Sequence, residues 1–123
     1  MKKIFYYTDV LPFLGRGEAA MEKLKHNLEI FREAFDSIRL VWHPWSGTEK
    51  YMELNSFPML EEYRGIVENF RCEGWGDLDE SSSVDKAKKV LLDCHGYYGD
   101  VSELAYEAQN AGIPVMLQDV DVR

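Results

Sequence analysis

The 123-residue chain has no long apolar run, only two cysteines, four prolines and fewer cations than anions. Each shortage excludes something. No stretch approaches the roughly 20 apolar residues of a membrane-spanning helix. The apolar run Ile4 to Tyr7, behind Met1-Lys2-Lys3, is too short for a signal peptide and reads as a strand. Cys72 and Cys94 fall in different elements without metal-ligand spacing, which points to two reduced thiols in a cytosolic protein. With 14 Lys and Arg against 22 Asp and Glu, the formal charge is -8, and no basic stripe alternates with aromatics. That balance argues against nucleic acid as the main partner. No internal repeat or low-complexity segment stands out, and no Ser-His-Asp arrangement or metal cluster can be argued from spacing.

What is there suits one ordinary domain, which buries roughly two-thirds of its unfolded surface without disulfides. Ile4 to Tyr7 predicts a first strand, and Thr8 to Gly17, with Pro12, Gly15 and Gly17, a loop. Met21, Leu24, Leu28, Phe31 and Phe35 form a helical core stripe. Ile38, Leu40, Val41 and Trp42 make a second strand ended by His43-Pro44, because Pro44 lacks a donor and holds His43 extended. Trp45 to Asn55 is a connection with one helical turn around Glu49 to Leu54. Leu60, Tyr63, Ile66 or Val67, and Phe70 mark another helix, and a very short third strand follows near Gly74-Trp75-Gly76. The serines 81 to 83 supply an N-cap for a helix over Val84 to Leu92. Leu91 to Gly99 leads through a fourth strand into a helix carrying Leu104, Ala105, Ala108 and Ala111 inward, stopped by Gly112 and Pro114. Val115 to Leu117 is the last strand, ended by Asp119 and Asp121.

Strands and helices alternate throughout, which predicts an α/β fold. The expected form is a Rossmann-like three-layer sandwich with about five mostly parallel strands in the order 3-2-1-4-5. The switch point then lies between the first and fourth strands, where ligands of such sheets bind. The loop Thr8 to Gly17 and the turn Gly99 to Glu103 face each other there, with His43 next in line.

Two readings of the Gly99 to Glu103 turn are open. It binds a phosphate through helix N–H groups and the Ser102 hydroxyl, or it is a capping box in which Asp100 and Glu103 satisfy those donors internally. In Gly15-Arg16-Gly17, Arg16 either meets a phosphate beside Gly17 or belongs to an ordinary surface loop. His43 is an acid/base or phosphate donor, or a half-buried structural histidine beside Trp42 and Trp45. His26 and His95 are weaker candidates, and Asp77, Asp79 and Glu80 read as solvated acids. Tyr97 and Tyr98 face opposite sides of the sheet.

EGWG at Glu73 to Gly76, then Asp79, Asp85 and Ala87, YYGDVS at Tyr97 to Ser102 and GIPVMLQDVDV at Gly112 to Val122 resemble the carboxyl-terminal half of bacterial CDP-glycerol glycerophosphotransferase-like proteins. The first strand, the Met21 to Phe31 helix and Trp42-His43-Pro44 fall in the same register. The resemblance implies the donor-binding half of a two-domain GT-B transferase of cell-surface polymer synthesis. It also implies an acceptor-binding domain upstream or on another chain. The ligand that the resemblance implies is CDP-glycerol or another nucleotide diphosphate, and nothing in the sequence calls for a resident cofactor or metal. Carried over, Asp100 and Ser102 are donor contacts and His43 is the H-P histidine. Two positions depart from the family pattern. Relatives have Arg-Pro-His-Pro after the strand tryptophan, where this chain has His43-Pro44-Trp45-Ser46, so that His43 stands either for the family histidine or for the arginine; they also have a second serine where Glu103 stands. The alternative is a non-catalytic binding or interaction module of the same fold.

Overall fold

The computed structural model describes residues 1–118. The expected strand ending at Asp119 and Asp121 therefore has its end outside the described residues. The chain runs β1 (Lys2–Thr8), α1 (Leu11–Arg16), α2 (Glu18–Glu33), β2 (Ile38–Pro44), α3 (Thr48–Leu54) and α4 (Leu60–Glu73). It continues through β3 (Gly76–Leu78), α5 (Val84–Leu92), β4 (Gly96–Gly99), α6 (Glu103–Asn110) and β5 (Val115–Leu117). All four strand pairings are parallel, in the order β3-β2-β1-β4-β5. This is a Rossmann-like sandwich.

Alternation along the central strands sorts the core into two layers. Tyr6, Leu40 and Trp42 point to the face covered by α1 to α4 and meet Phe13, Met21, Leu24, Met52, Tyr63 and Phe70. Phe5, Tyr7 and Val41 point to the other face and meet Ala87 and Leu91 of α5 and Leu104, Ala105 and Ala108 of α6. Tyr97 joins the second layer and Tyr98 packs on the first, as alternation requires.

Three details differ from the pattern read in the sequence. The stretch between β1 and α2 contains α1. Its glycine and proline residues suggest a loop, but Val10 and Phe13 are both buried, and Pro12 sits at the start of the helix, where a missing N–H costs nothing. The α2 stripe stops at the half-buried Phe31, because the helix ends at Glu33 and Phe35 is exposed. Ala111, expected inward on α6, is exposed at its C-cap.

Candidate functional site

Parallel strands deliver their carboxyl ends to one edge, and β1, β2 and β4 end level there: Tyr7 pairs with both His43 and Gly99. Gly99 has φ +141°, and a Cβ on it would lie 2.1 Å from the Tyr7 carbonyl oxygen. Only glycine passes that point. The chain leaving it divides the edge into two clefts.

On one side lies Asp100, buried and turned away from α6. Its carboxylate accepts the Asp9 N–H (2.8 Å) and the Gln118 side-chain amide (2.8 Å). The Gln118 oxygen accepts from Asn27 at 2.8 Å, and the Asn27 amide also donates to the Tyr6 hydroxyl. Burial pushes the Asp100 carboxyl up, and the bonds from Asp9 and Gln118 oppose that shift. Asp100 thus staples the β1–α1 turn to the end of the sheet. It borders a cleft of about 560 Å³ shared with Asp9, Gly15 and Arg16.

On the other side, Tyr7, His43, Ser46, the serines 81 to 83 and the first residues of α5 and α6 enclose a cleft of about 230 Å³. His43 is its most buried polar group, 4 % exposed, with its ring stacked on Phe5 and Tyr7 at 5.6 and 5.8 Å. Its Nδ1 lies 3.1 Å from the Asp79 carbonyl and 3.0 Å from the Asp79 carboxylate. Both partners only accept, so Nδ1 carries a proton, and in the neutral ring Nε2 is left as a lone pair. Nε2 bonds to no described residue.

Asp79 is held for this task. Its N–H donates to the Trp42 carbonyl at 2.8 Å, continuing the β2–β3 ladder by one residue. Its second carboxylate oxygen accepts the Ser81 hydroxyl at 2.6 Å and the Ser81 N–H at 3.3 Å. Burial works to raise this carboxyl, but the bonds from His43 and Ser81 outweigh it, and the group sits below the usual carboxylate range. Asp79 is therefore not the solvated acid its exposed neighbour Glu80 is, because the end of β3 lies beside the end of β2.

Both helices that open into the cleft start with a serine cap. The Ser83 hydroxyl accepts the Lys86 N–H, and the Ser102 hydroxyl accepts those of Leu104 and Ala105. Tyr97 donates its own hydroxyl proton to the Asp100 carbonyl, so at 2.9 Å Ser102 donates to Tyr97. The Ser102 hydroxyl is thus fully used inside the protein. What each first turn still offers a ligand is backbone: the N–H groups of Val84 and Asp85 on α5 and of Glu103 on α6.

The cap assignment differs from the capping box read in the sequence. Ser102, not Asp100, is the N-cap, and Glu103 is the first helical residue rather than the third. Glu103 does not reach back to close the turn; it is exposed and lines the mouth of the cleft.

The six residues singled out in the sequence thus separate. His43 and Ser102 share the smaller cleft, Asp100 and Arg16 border the larger one, and Gly99 lies between. Gly17, at φ +51°, links α1 to α2 and lines neither. Spacing alone reads Asp79 as a solvated acid, although the strand order 3-2-1 already sets a residue just after β3 beside the end of β2, where His43 stands. Among the described residues no cluster of three or more His, Cys, Asp or Glu could hold a metal ion, and no helix is long and apolar enough to cross a membrane. Comparison of the chain with family models, with curated proteins and with solved structures finds no match.

Proposed function

We propose that the chain is a donor-binding domain that holds the diphosphate of a nucleotide-activated donor, such as CDP-glycerol, in the cleft between the first turns of α5 and α6. One observation carries this reading. A histidine that is 4 % exposed, clamped through Nδ1, turns an unpartnered Nε2 into a cleft floored by two helix N-termini. Helix N-termini favour anions through their unpaired N–H groups and their dipoles. The resemblance to glycerophosphotransferase-like proteins supplies the donor class. The reaction served is in-line transfer of glycerol phosphate to an acceptor hydroxyl, with the acceptor held by another domain. The part of this chain is positioning and charge neutralisation.

Ser102 contributes by setting the start of α6, since its hydroxyl has no hydrogen-bonding capacity left for a phosphate. Asp100 and Arg16 belong to the neighbouring cleft, where the rest of the donor would extend. Glu103 opposes binding by like charge. This exposed carboxylate and the -8 net charge favour the second reading, an interaction module that has lost its nucleotide.

Thermal shift with CDP-glycerol separates the two. Ligand at 100 times its Kd stabilises the fold by about 2.7 kcal/mol. A rise in Tm is expected, larger in Glu103→Ser and smaller in His43→Gln. No shift at millimolar CDP or CDP-glycerol in either the native protein or Glu103→Ser overturns the donor-binding reading and leaves the interaction module.

A further inference from the structure

We infer that the cleft binds a diphosphate only by taking up one proton, which His43 holds on Nε2 between the ligand and Asp79. The inference rests on the donor-binding reading and adds how the site is regulated. The geometry at Nδ1 is the ground for it. Nδ1 faces two acceptors 3.0 and 3.1 Å away, so it cannot be the deprotonated nitrogen without setting a lone pair against the oxygens of Asp79. In the neutral ring the lone pair therefore always faces the cleft. A phosphate oxygen of a diphosphate diester is also a lone pair and has no proton to donate at neutral pH. The two repel until a proton is placed between them.

The balance is simple. Buffer acid gives one proton to Nε2, which becomes N–H and donates to the phosphate oxygen. Nδ1–H stays on Asp79, and no covalent bond to carbon or phosphorus is made or broken. The imidazolium then lies between two anions, the Asp79 carboxylate and the ligand. The other groups facing the ring do not supply the proton or replace it. From β1 comes Tyr7, whose phenol burial pushes up. From β3 comes Asp79 and from α6 comes Glu103, both acceptors when ionised. α5 presents Val84 and Ala87, which carry no charge. Asp79 is thus a positioning residue: it touches no ligand, but it fixes which nitrogen faces the cleft and stabilises the charged ring.

The consequence is a pH-gated site. Wherever the ring of the free protein is neutral, binding must draw its proton from the buffer. Affinity then falls about tenfold per pH unit on the alkaline side, the slope of a one-proton linkage. Titration calorimetry of the native protein with CDP-glycerol at pH 8, in buffers of different ionisation enthalpy, reads this directly. The observed heat is expected to vary with buffer by close to one proton taken up per ligand bound. His43→Gln keeps an N–H donor at the same place and is expected to bind with no buffer dependence and no alkaline fall. In Asp79→Asn the alkaline fall is expected to begin at a lower pH. Binding by the native protein with no buffer dependence and a flat affinity from pH 7 to 9 overturns the inference and leaves the donor-binding reading standing. No binding at pH 6 or pH 8 overturns both. Because the decisive readout is from the native protein, a variant that fails to fold does not remove the test.

Discussion

The two faces of the sheet are built from different materials. The face under α1 to α4 is wide and aromatic: Trp42, Tyr6, Tyr63, Phe70 and Phe13 interlock, with Trp42 edge-on to Phe70 at 5.3 Å. The face under α5 and α6 is thin, with Ala87, Ala105 and Ala108 almost fully buried against the strands. Small residues allow the two helices to lie side by side, where Lys88 and Glu107 bridge them at 2.9 Å. Their first turns consequently open into one cleft instead of two. The aromatic face supplies stability; the thin face supplies the convergence that a ligand site needs. His43 belongs to the thin face because it follows Val41 by two residues, while Trp42 between them anchors the other side.

This contrast can be broken from either side. The largest effect is expected for Trp42→Ala. Trp42 is wholly buried, and its indole N–H donates to the Thr8 hydroxyl at 3.0 Å. The substitution should cost about 3–5 kcal/mol in urea unfolding. A loss under about 1 kcal/mol would mean that the aromatic layer is not where the stability resides. Next comes Ala108→Leu on the thin face, expected to cost about 1–3 kcal/mol by overpacking. Unlike the first change, it should also weaken diphosphate binding in the folded protein by pushing α6 off β4. Unchanged affinity would show that helix convergence is not needed for the site.

The smallest effect concerns acid. The carboxyl of Asp79 lies below its ordinary range when folded, so its contribution is present above the unfolded pKa of about 3.9 and lost as pH falls through the lower folded value. Stability of Asp79→Asn, followed by denaturant titration from pH 6 to pH 2, should therefore fall less steeply below pH 4 than that of the native protein. An unchanged acid limb would sink the Asp79 assignment.

β1, β2, β4 and β5 were legible in the sequence as short apolar or aromatic runs and each long helix as a stripe, whereas β3, Gly76-Asp77-Leu78, carries no such run. α1 was not legible, because the proline and glycines of Thr8 to Gly17 signal a break locally, and only the docking of Val10 and Phe13 reveals a helix. The start of α6 was ambiguous for a related reason. Asp100 and Ser102 are both good N-cap residues, and the choice is made far away, by Gln118 and the Asp9 amide claiming the Asp100 carboxylate. The pairing of His43 with Asp79 spans 36 positions, and no local pattern announces it. Position relative to strand ends, not residue type, carried that information.

The chain of side-chain amides from Asp100 through Gln118 to Asn27 also answers a question about β5. An edge strand of three residues with Met116 67 % and Leu117 45 % exposed has little hydrophobic pattern to choose its alignment. Polar pairing chooses it instead. The Gln118 N–H meets the Gly99 carbonyl at 2.7 Å while its side chain both gives to Asp100 and takes from Asn27. A slip by one residue would put Leu117 in that place and take one hydrogen-bond partner each from the Asp100 carboxylate and the Asn27 amide. The edge of the sheet is thus indexed by a single glutamine, which reads the correct alignment from both neighbours at once.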